Sequence, residues 1–247
     1  MCGRISLFTP PARVARLFEA TLAEGVADQE RPRWNIGPTS PVLGIRAHPH
    51  DGHDDGPGAG ARRMVGVFRW GLVPSWAKDA SGASRLFNAR AETVASKPSF
   101  RSAFERRRLV VPADGFFEWQ QGPRRRPHYF HRADGAPMAL AGVWEVWRDT
   151  RHPGAPLLRS CAVITTRAGA DMAGIHDRMP VVLEPEALDL WLDPDADVNQ
   201  VRALLRATAS GTLRHHLVDP RVGNVRNDDP SVVAELAPSG GPQAPMP

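Results

Sequence analysis

Runs of aliphatic, β-branched and aromatic residues recur along this chain at lengths that suit strands and are too short for core helices. Segments 41–46, 64–70, 109–112, 116–119, 129–130, 138–147 and 157–166 each read as a strand. Between the first two, 48–63 is rich in Gly, Asp, His and Pro and reads as a hairpin loop. Segment 121–127 reads as a basic turn. Three segments read as helices. In 10–24, Pro opens the segment and Val14, Leu17, Phe18 and Leu22 follow helical spacing. The others are 184–192, again with Pro at its start, and the short 198–206. Many strands with a few peripheral helices predict one α+β domain on a folded, mostly antiparallel sheet over residues 1–237. Residues 238–247, rich in Pro and Gly, are expected to be a disordered tail.

Composition narrows the class. No apolar run approaches the roughly 20 residues of a membrane span, and the first residues lack a secretory signal. Two cysteines in 247 residues exclude a disulfide-built scaffold and a Cys-rich zinc protein. The expectation is a cytoplasmic protein, associated with the nucleoid when on DNA, without membrane, metal or cofactor. The net charge is +4, and apart from Lys78 and Lys97 every cation is Arg. Codon bias explains most of that excess. Arginine nevertheless offers a planar fork for phosphate and a face that stacks on bases, so a pI near 9.8 is compatible with nucleic acid without demonstrating it.

Cys2 carries the most specific chemistry. If Met1 is removed, as is usual before a small residue, the chain begins with an amine and a thiol on adjacent carbons. Their ordinary pKa values are about 7.7–8.0 and about 8.5, so both have usable free-base fractions near neutrality. The amine can condense with an aldehyde, and the thiol can then close a five-membered thiazolidine on the same carbon. Three other segments suit such a site. Asn88 and Arg90 lie in a polar run ending in a turn, Glu118 is a carboxylate among aromatics, and His176 stands two residues from Arg178.

In order, Met1-Cys2-Gly3-Arg4, Trp34-Asn35-Ile36-Gly37-Pro38-Thr39, Trp70-Gly71-Leu72-Val73-Pro74-Ser75-Trp76-Ala77-Lys78 and Asn88-Ala89-Arg90-Ala91-Glu92-Thr93 open a set of blocks. Lys97-Pro98-Ser99-Phe100-Arg101, the stretch 111–119, Ile175-His176-Asp177-Arg178-Met179-Pro180 and Gly223-Asn224-Val225-Arg226-Asn227-Asp228 complete it. The set resembles the SRAP (SOS response-associated peptidase) family over residues 1 to about 235. Phe117 and Leu109 depart from frequent family residues. The resemblance implies a barrel-like core and a monomeric sensor that links covalently to abasic sites in single-stranded DNA. It implies Cys2 as nucleophile, Asn88 holding the terminus and sugar, and Glu118 and His176 in proton transfer and Schiff-base chemistry. Arg90 and Arg178 would bind phosphates, with Arg4 and Arg101 as weaker candidates. Asn35 falls in the same DNA-facing set, and Trp70 and Pro38 would offer apolar surfaces to bases. The family name also implies a cysteine-type peptidase activity, extending to autocatalytic removal of Met1.

Two rival readings remain open at this level. Class II glutamine amidotransferases also begin Met-Cys-Gly, but their downstream Asn-Gly and Gly-Asp signatures are missing. A non-covalent single-strand-binding module would leave Cys2 incidental. The His48, His50, His53, Asp54 and Asp55 group reads as solvated loop, Cys161 as a buried strand residue, and the triple-Arg runs at 106–108 and 124–126 as solvated faces. His215-His216 has no evident partner in the sequence.

Overall fold

The computed structural model describes residues 2–26, 31–47, 63–123, 125–152 and 154–236. The expected tail and most of the 48–63 loop lie outside them. In chain order the strands are β1 (Ile5–Leu7), β2 (Ala20–Leu22), β3 (Arg33–Ile36), β4 (Pro41–Ala47), β5 (Arg63–Trp70), β6 (Asn88–Arg90) and β7 (Arg108–Ala113). They continue with β8 (Gly115–Trp119), β9 (Pro127–Arg132), β10 (Met138–Trp147), β11 (Leu158–Arg167), β12 (Arg178–Pro180), β13 (Val182–Leu183) and β14 (Leu213–Leu217). The helices are α1 (Pro11–Leu17), α2 (Arg101–Arg106), α3 (Leu188–Leu192) and α4 (Val198–Ala203). The fold is α+β, as expected. The helix expected over 10–24 stops early because Glu19 takes a left-handed conformation, φ 50°, and Ala20–Leu22 then joins the sheet as β2.

Strands β5, β4, β7, β10 and β11 form a closed five-membered ring. Directions cannot alternate around an odd ring, so at least one pairing must be parallel. That pairing is β11 with β5, while the other four are antiparallel. Leu109, Val110, Val111, Leu140, Val143 and Val163 fill the core with no exposed surface. A second, five-stranded sheet runs β14-β9-β8-β1-β3. Within it Gly115 lies so close to Tyr129 that a Cβ would sit 2.1 Å from the ring, and the Tyr129 hydroxyl meets Ser6 Oγ at 2.8 Å.

The short helices are tied to the ring by Arg108, which is 3% exposed. Its guanidinium donates to the carbonyls of Phe104, Glu105, Trp191 and Asp193. These are the C-terminal carbonyls of α2 and α3, which a helix leaves unpaired. The triple-Arg run read as a solvated face therefore contributes one buried strut.

His215-His216 also finds partners. His128 Nδ1 and His215 Nδ1 lie 3.2 Å apart, so the pair shares one proton. Burial, with His215, Arg126 and His216 adding, lowers the His128 pKa to about 4. Because this is below the ordinary value of about 6.5, the unfolded chain takes up a proton that the fold resists as pH falls. The urea midpoint should therefore drop between pH 7 and pH 5, and His128→Phe should flatten that drop; an equal slope in the two proteins would contradict this assignment.

Candidate active site

The N-terminal segment is held from both sides. The Phe117 amide donates to the Arg4 carbonyl at 2.9 Å, continuing the β1–β8 ladder so that residues 2–4 run beside Glu118 and Trp119. Arg4 Nη1 donates to Asn35 Oδ1 at 2.7 Å and to the Val222 carbonyl at 2.5 Å, while the guanidinium lies 5.8 Å from the Trp119 ring centre. Asn35 has no exposed surface, and its Nδ2 faces the carbonyls of Val222, Asn224 and Asn227 at 3.1, 3.1 and 2.8 Å. The Asp228 carboxylate accepts the Trp34 and Asn35 amides and Arg33 Nε. The 223–228 motif is thus a clasp that fixes β3 and, through Arg4, the chain start. Arg4 and Asn35, expected to face DNA, are spent on this clasp.

Cys2 is fully buried, and its carbonyl accepts a 2.7 Å hydrogen bond from Asn88 Nδ2. The Oδ1 of Asn88 is buried without a hydrogen-bond partner among the described residues. Burial pushes the Cys2 thiol pKa well up, and the charge of the Glu118 carboxylate pushes it further. The chain's terminal amine and an Arg4 backbone bond pull in the opposite direction but are outweighed. Glu118 is itself 3% exposed. Cys161, the other cysteine, is buried in β11 as expected.

Beside Asn88, a cleft of ≈ 630 Å³ opens between β6, β11 and β12, lined by Arg90, Arg167, Ala168, His176, Asp177 and Arg178. Register places these residues: Thr165 faces Arg90 on β6, and Arg167 faces Arg178 on β12. The loop carrying His176 is tied to the end of β8, where the Gln121 amide donates to the Ile175 carbonyl at 3.0 Å and Gln121 Nε2 to Asp177 at 3.3 Å. His176 Nδ1 lies 2.9 Å from the Arg178 amide and 3.1 Å from an Asp177 carboxylate oxygen. Both cannot be hydrogen bonds to the same ring state, and the backbone N–H can only donate. Nδ1 therefore accepts from the Arg178 amide, an arrangement that suits the tautomer with its proton on Nε2.

The remaining expected residues are scattered. Arg90 and Arg101 are exposed. Arg178 is 12% exposed in its side chain and ion-paired with Glu92. Pro38 is half-buried in the turn before β4. Trp70 has no exposed surface, its Nε1 donates to the Phe87 carbonyl, and it offers no face to a base. The exposed indole of the same motif is Trp76, 67% exposed. Arg167 is a further cleft residue that the sequence reading missed; it stands one position beyond the strand-like run ending at 166. Among the described residues, no cluster of three or more metal-ligating side chains occurs, and no helix is long and apolar enough to cross a membrane.

A family model described as SOS response associated peptidase (SRAP) matches residues 1–225. The abasic site processing protein YoqW of Bacillus subtilis is 33% identical over 238 residues, covering 94% of this chain and 99% of that protein. The abasic site processing protein HMCES of Gallus gallus is 32% identical over 270 residues, covering 96% of this chain and 78% of that protein. Among solved structures, a Bacteroides thetaiotaomicron protein superposes with a TM-score of 0.82 at 24% identity, over 96% of this chain and all (100%) of that one, and shows the shared fold. A Bordetella bronchiseptica protein gives 0.71 at 25% identity, over 88% of this chain and 100% of that one.

Asn35→Ala removes the side-chain acceptor of Arg4 and the amide donor to the Asn224 and Asn227 carbonyls, leaving Val222 to Arg4 alone, and should lower stability by about 2–4 kcal/mol. Arg101→Ala removes an exposed side chain and should change it by less than about 0.5 kcal/mol. Thermal denaturation of the two variants checks the contrast, and an undisturbed Asn35→Ala would refute the clasp.

Proposed function

The chain belongs to the SOS response-associated peptidase family, and from that premise we propose that it processes abasic sites by capturing them covalently on single-stranded DNA, acting as a monomer. The observation that carries this reading is the setting of Cys2, its carbonyl held by Asn88 and its thiol facing the charge of Glu118, next to an arginine-lined cleft. The relatives described as abasic site processing proteins support the substrate class.

Once Met1 is gone, the Cys2 amine attacks the ring-opened sugar aldehyde at C1′. Loss of water from the carbinolamine gives an imine, with a proton delivered to the departing oxygen. The thiol then adds to the imine carbon, forming the C–S bond while its proton passes to nitrogen. Burial beside Glu118 argues against a standing thiolate, so the amine reacts first, and as the ring closes Glu118 relays the thiol proton to the nitrogen. His176, with its proton on Nε2, faces the cleft as donor to the carbinolamine oxygen. Asn88 aligns the terminus through the Cys2 carbonyl, and its buried Oδ1, without a hydrogen-bond partner among the described residues, is the acceptor offered to the new amine.

The strand is held by charge and stacking. Arg90, Arg167 and Arg101 contact phosphates, and Arg178 has one Nη1 proton left for the same task. Trp76 takes the stacking role expected of Trp70, with Pro38 as a further apolar surface; such platforms contribute about 1–3 kcal/mol per base. An abasic sugar is already unpaired, so no base-flipping energy is spent.

Incubation with single-stranded DNA containing one abasic site should give a denaturation-resistant adduct, absent with intact DNA. Cys2→Ala keeps an amine but no thiol, and should yield an adduct only after borohydride reduction. A protein retaining Met1, identified by intact mass, should give none by this route. Full yield from Cys2→Ala without borohydride would refute the thiazolidine.

A further inference from the structure

Glu92 has no part in the chemistry above, yet it is joined to both halves of the cleft. It stands in the turn after β6, two residues beyond Arg90. Its carboxylate accepts from both terminal nitrogens of Arg178, Nη1 to Oε1 at 2.6 Å and Nη2 to Oε2 at 3.0 Å. The same Nη2 donates to the Thr165 carbonyl at 2.6 Å and lies 3.3 Å from Thr165 Oγ1. Hydrogen bonding from Arg178 holds the Glu92 carboxyl below its usual range against the opposing effect of burial, with the charges of Arg178 and Arg167 adding to it. Glu92 is therefore ionised, and the pair is a two-pronged fork, the geometry in which a guanidinium is most firmly oriented.

The other side of the same residue meets the imidazole. The Arg178 backbone N–H is the donor to His176 Nδ1. Carboxylate, guanidinium, strand backbone and imidazole thus form one connected chain. Its far end fixes which His176 nitrogen carries the proton. Its near end decides how much of the Arg178 charge a bound strand can feel.

We propose that Glu92 is a positioning residue with two opposed effects: it holds His176 through Arg178 for proton transfer, and it restrains strand binding by neutralising Arg178. This rests on the function proposed above and adds a division of labour among the three cleft arginines. Arg90 and Arg167 have no carboxylate hydrogen-bonded to them among the described residues, and although Arg167 feels the Glu92 charge at longer range, both keep their guanidinium donors for phosphate. Arg178 acts mainly as a strut. The restraint suits a protein that must release intact strands, since affinity for undamaged phosphate backbone is common to every sequence. Orientation at His176, by contrast, serves only a strand that offers an aldehyde.

The two effects predict opposite responses in one variant. In Glu92→Gln, binding to intact single-stranded DNA should tighten, and its salt slope should steepen by about 0.7, the increment for one added phosphate contact on a single strand. With saturating abasic DNA, the single-turnover rate of adduct formation should fall about tenfold, a fraction of what a positioned acid or base contributes, and its pH profile should change shape. Glu92→Asp, which keeps the charge, should retain the parent salt slope and a rate closer to the parent than Glu92→Gln. Circular dichroism confirms that both variants fold. A variant that loses binding and rate together shows a merely structural role and overturns the proposal. So does an unchanged rate and pH profile in Glu92→Gln. Should the unsubstituted protein form no adduct, the proposed function fails instead, while an unchanged salt slope on intact DNA would still refute the restraint at Arg178.

Discussion

An odd ring of strands cannot be antiparallel throughout, and the place where this one breaks the rule organises the molecule. The parallel contact of β5 with β11 closes the barrel using only Ser160 and Cys161 of a ten-residue strand. The far half of β11 therefore projects beyond the ring with both edges to fill. On one edge β5 gives way to β6, as the Cys161 carbonyl, the Val163 amide and the Thr165 carbonyl bond successively to Gly71, Phe87 and Ala91. On the other edge β10 gives way to β12, with Val181 bonded to both Ala141 and Ile164. These two additions bring Asn88 and Arg90 to one side of the projection and His176 and Arg178 to the other. The cleft is a consequence of ring closure.

The second sheet supplies the rest. Its central strands carry Glu118 and the ladder that guides the chain start, and the clasp of Asn35 and Asp228 holds Arg4 so that Cys2 meets Asn88. A nucleophile at a chain terminus has no backbone on one side to position it. Here the missing restraint is replaced by an amide bond to its carbonyl and by an arginine anchored two residues later. In the proposed chemistry the buried thiol beside a carboxylate is a poor standing nucleophile, and the amine takes the first step.

Sequence made the long strands legible: burial on both faces writes 138–147 and 157–166 as near-continuous apolar runs, 64–70 is rich in β-branched and aromatic residues, and each falls within a residue of a strand. It did not reveal β1, β3, β6 or β12, which are three or four residues long and exist because a neighbour supplies their hydrogen bonds. Burial alone could not have found them. In the site, ordered motifs pointed to Cys2, Asn88, Glu118 and His176 together. The same motifs could not separate ligand contacts from internal struts, because both demand polar residues. Arg4 and Asn35 are struts, and Trp70 and Trp76 share one motif although one is sealed in the core and the other exposed. Arg167 became visible only when strand pairing set it at the cleft, and Glu92 only through its ion pair with Arg178.

The central claim is that the terminal cysteine closes a ring on the abasic carbon. Peptide mapping of an adduct formed without borohydride tests it most directly. The account predicts the sugar remnant on the peptide beginning at Cys2, with both the amine and the thiol blocked. A remnant on any other residue, or a Cys2 peptide whose thiol still reacts with an alkylating agent, would contradict it.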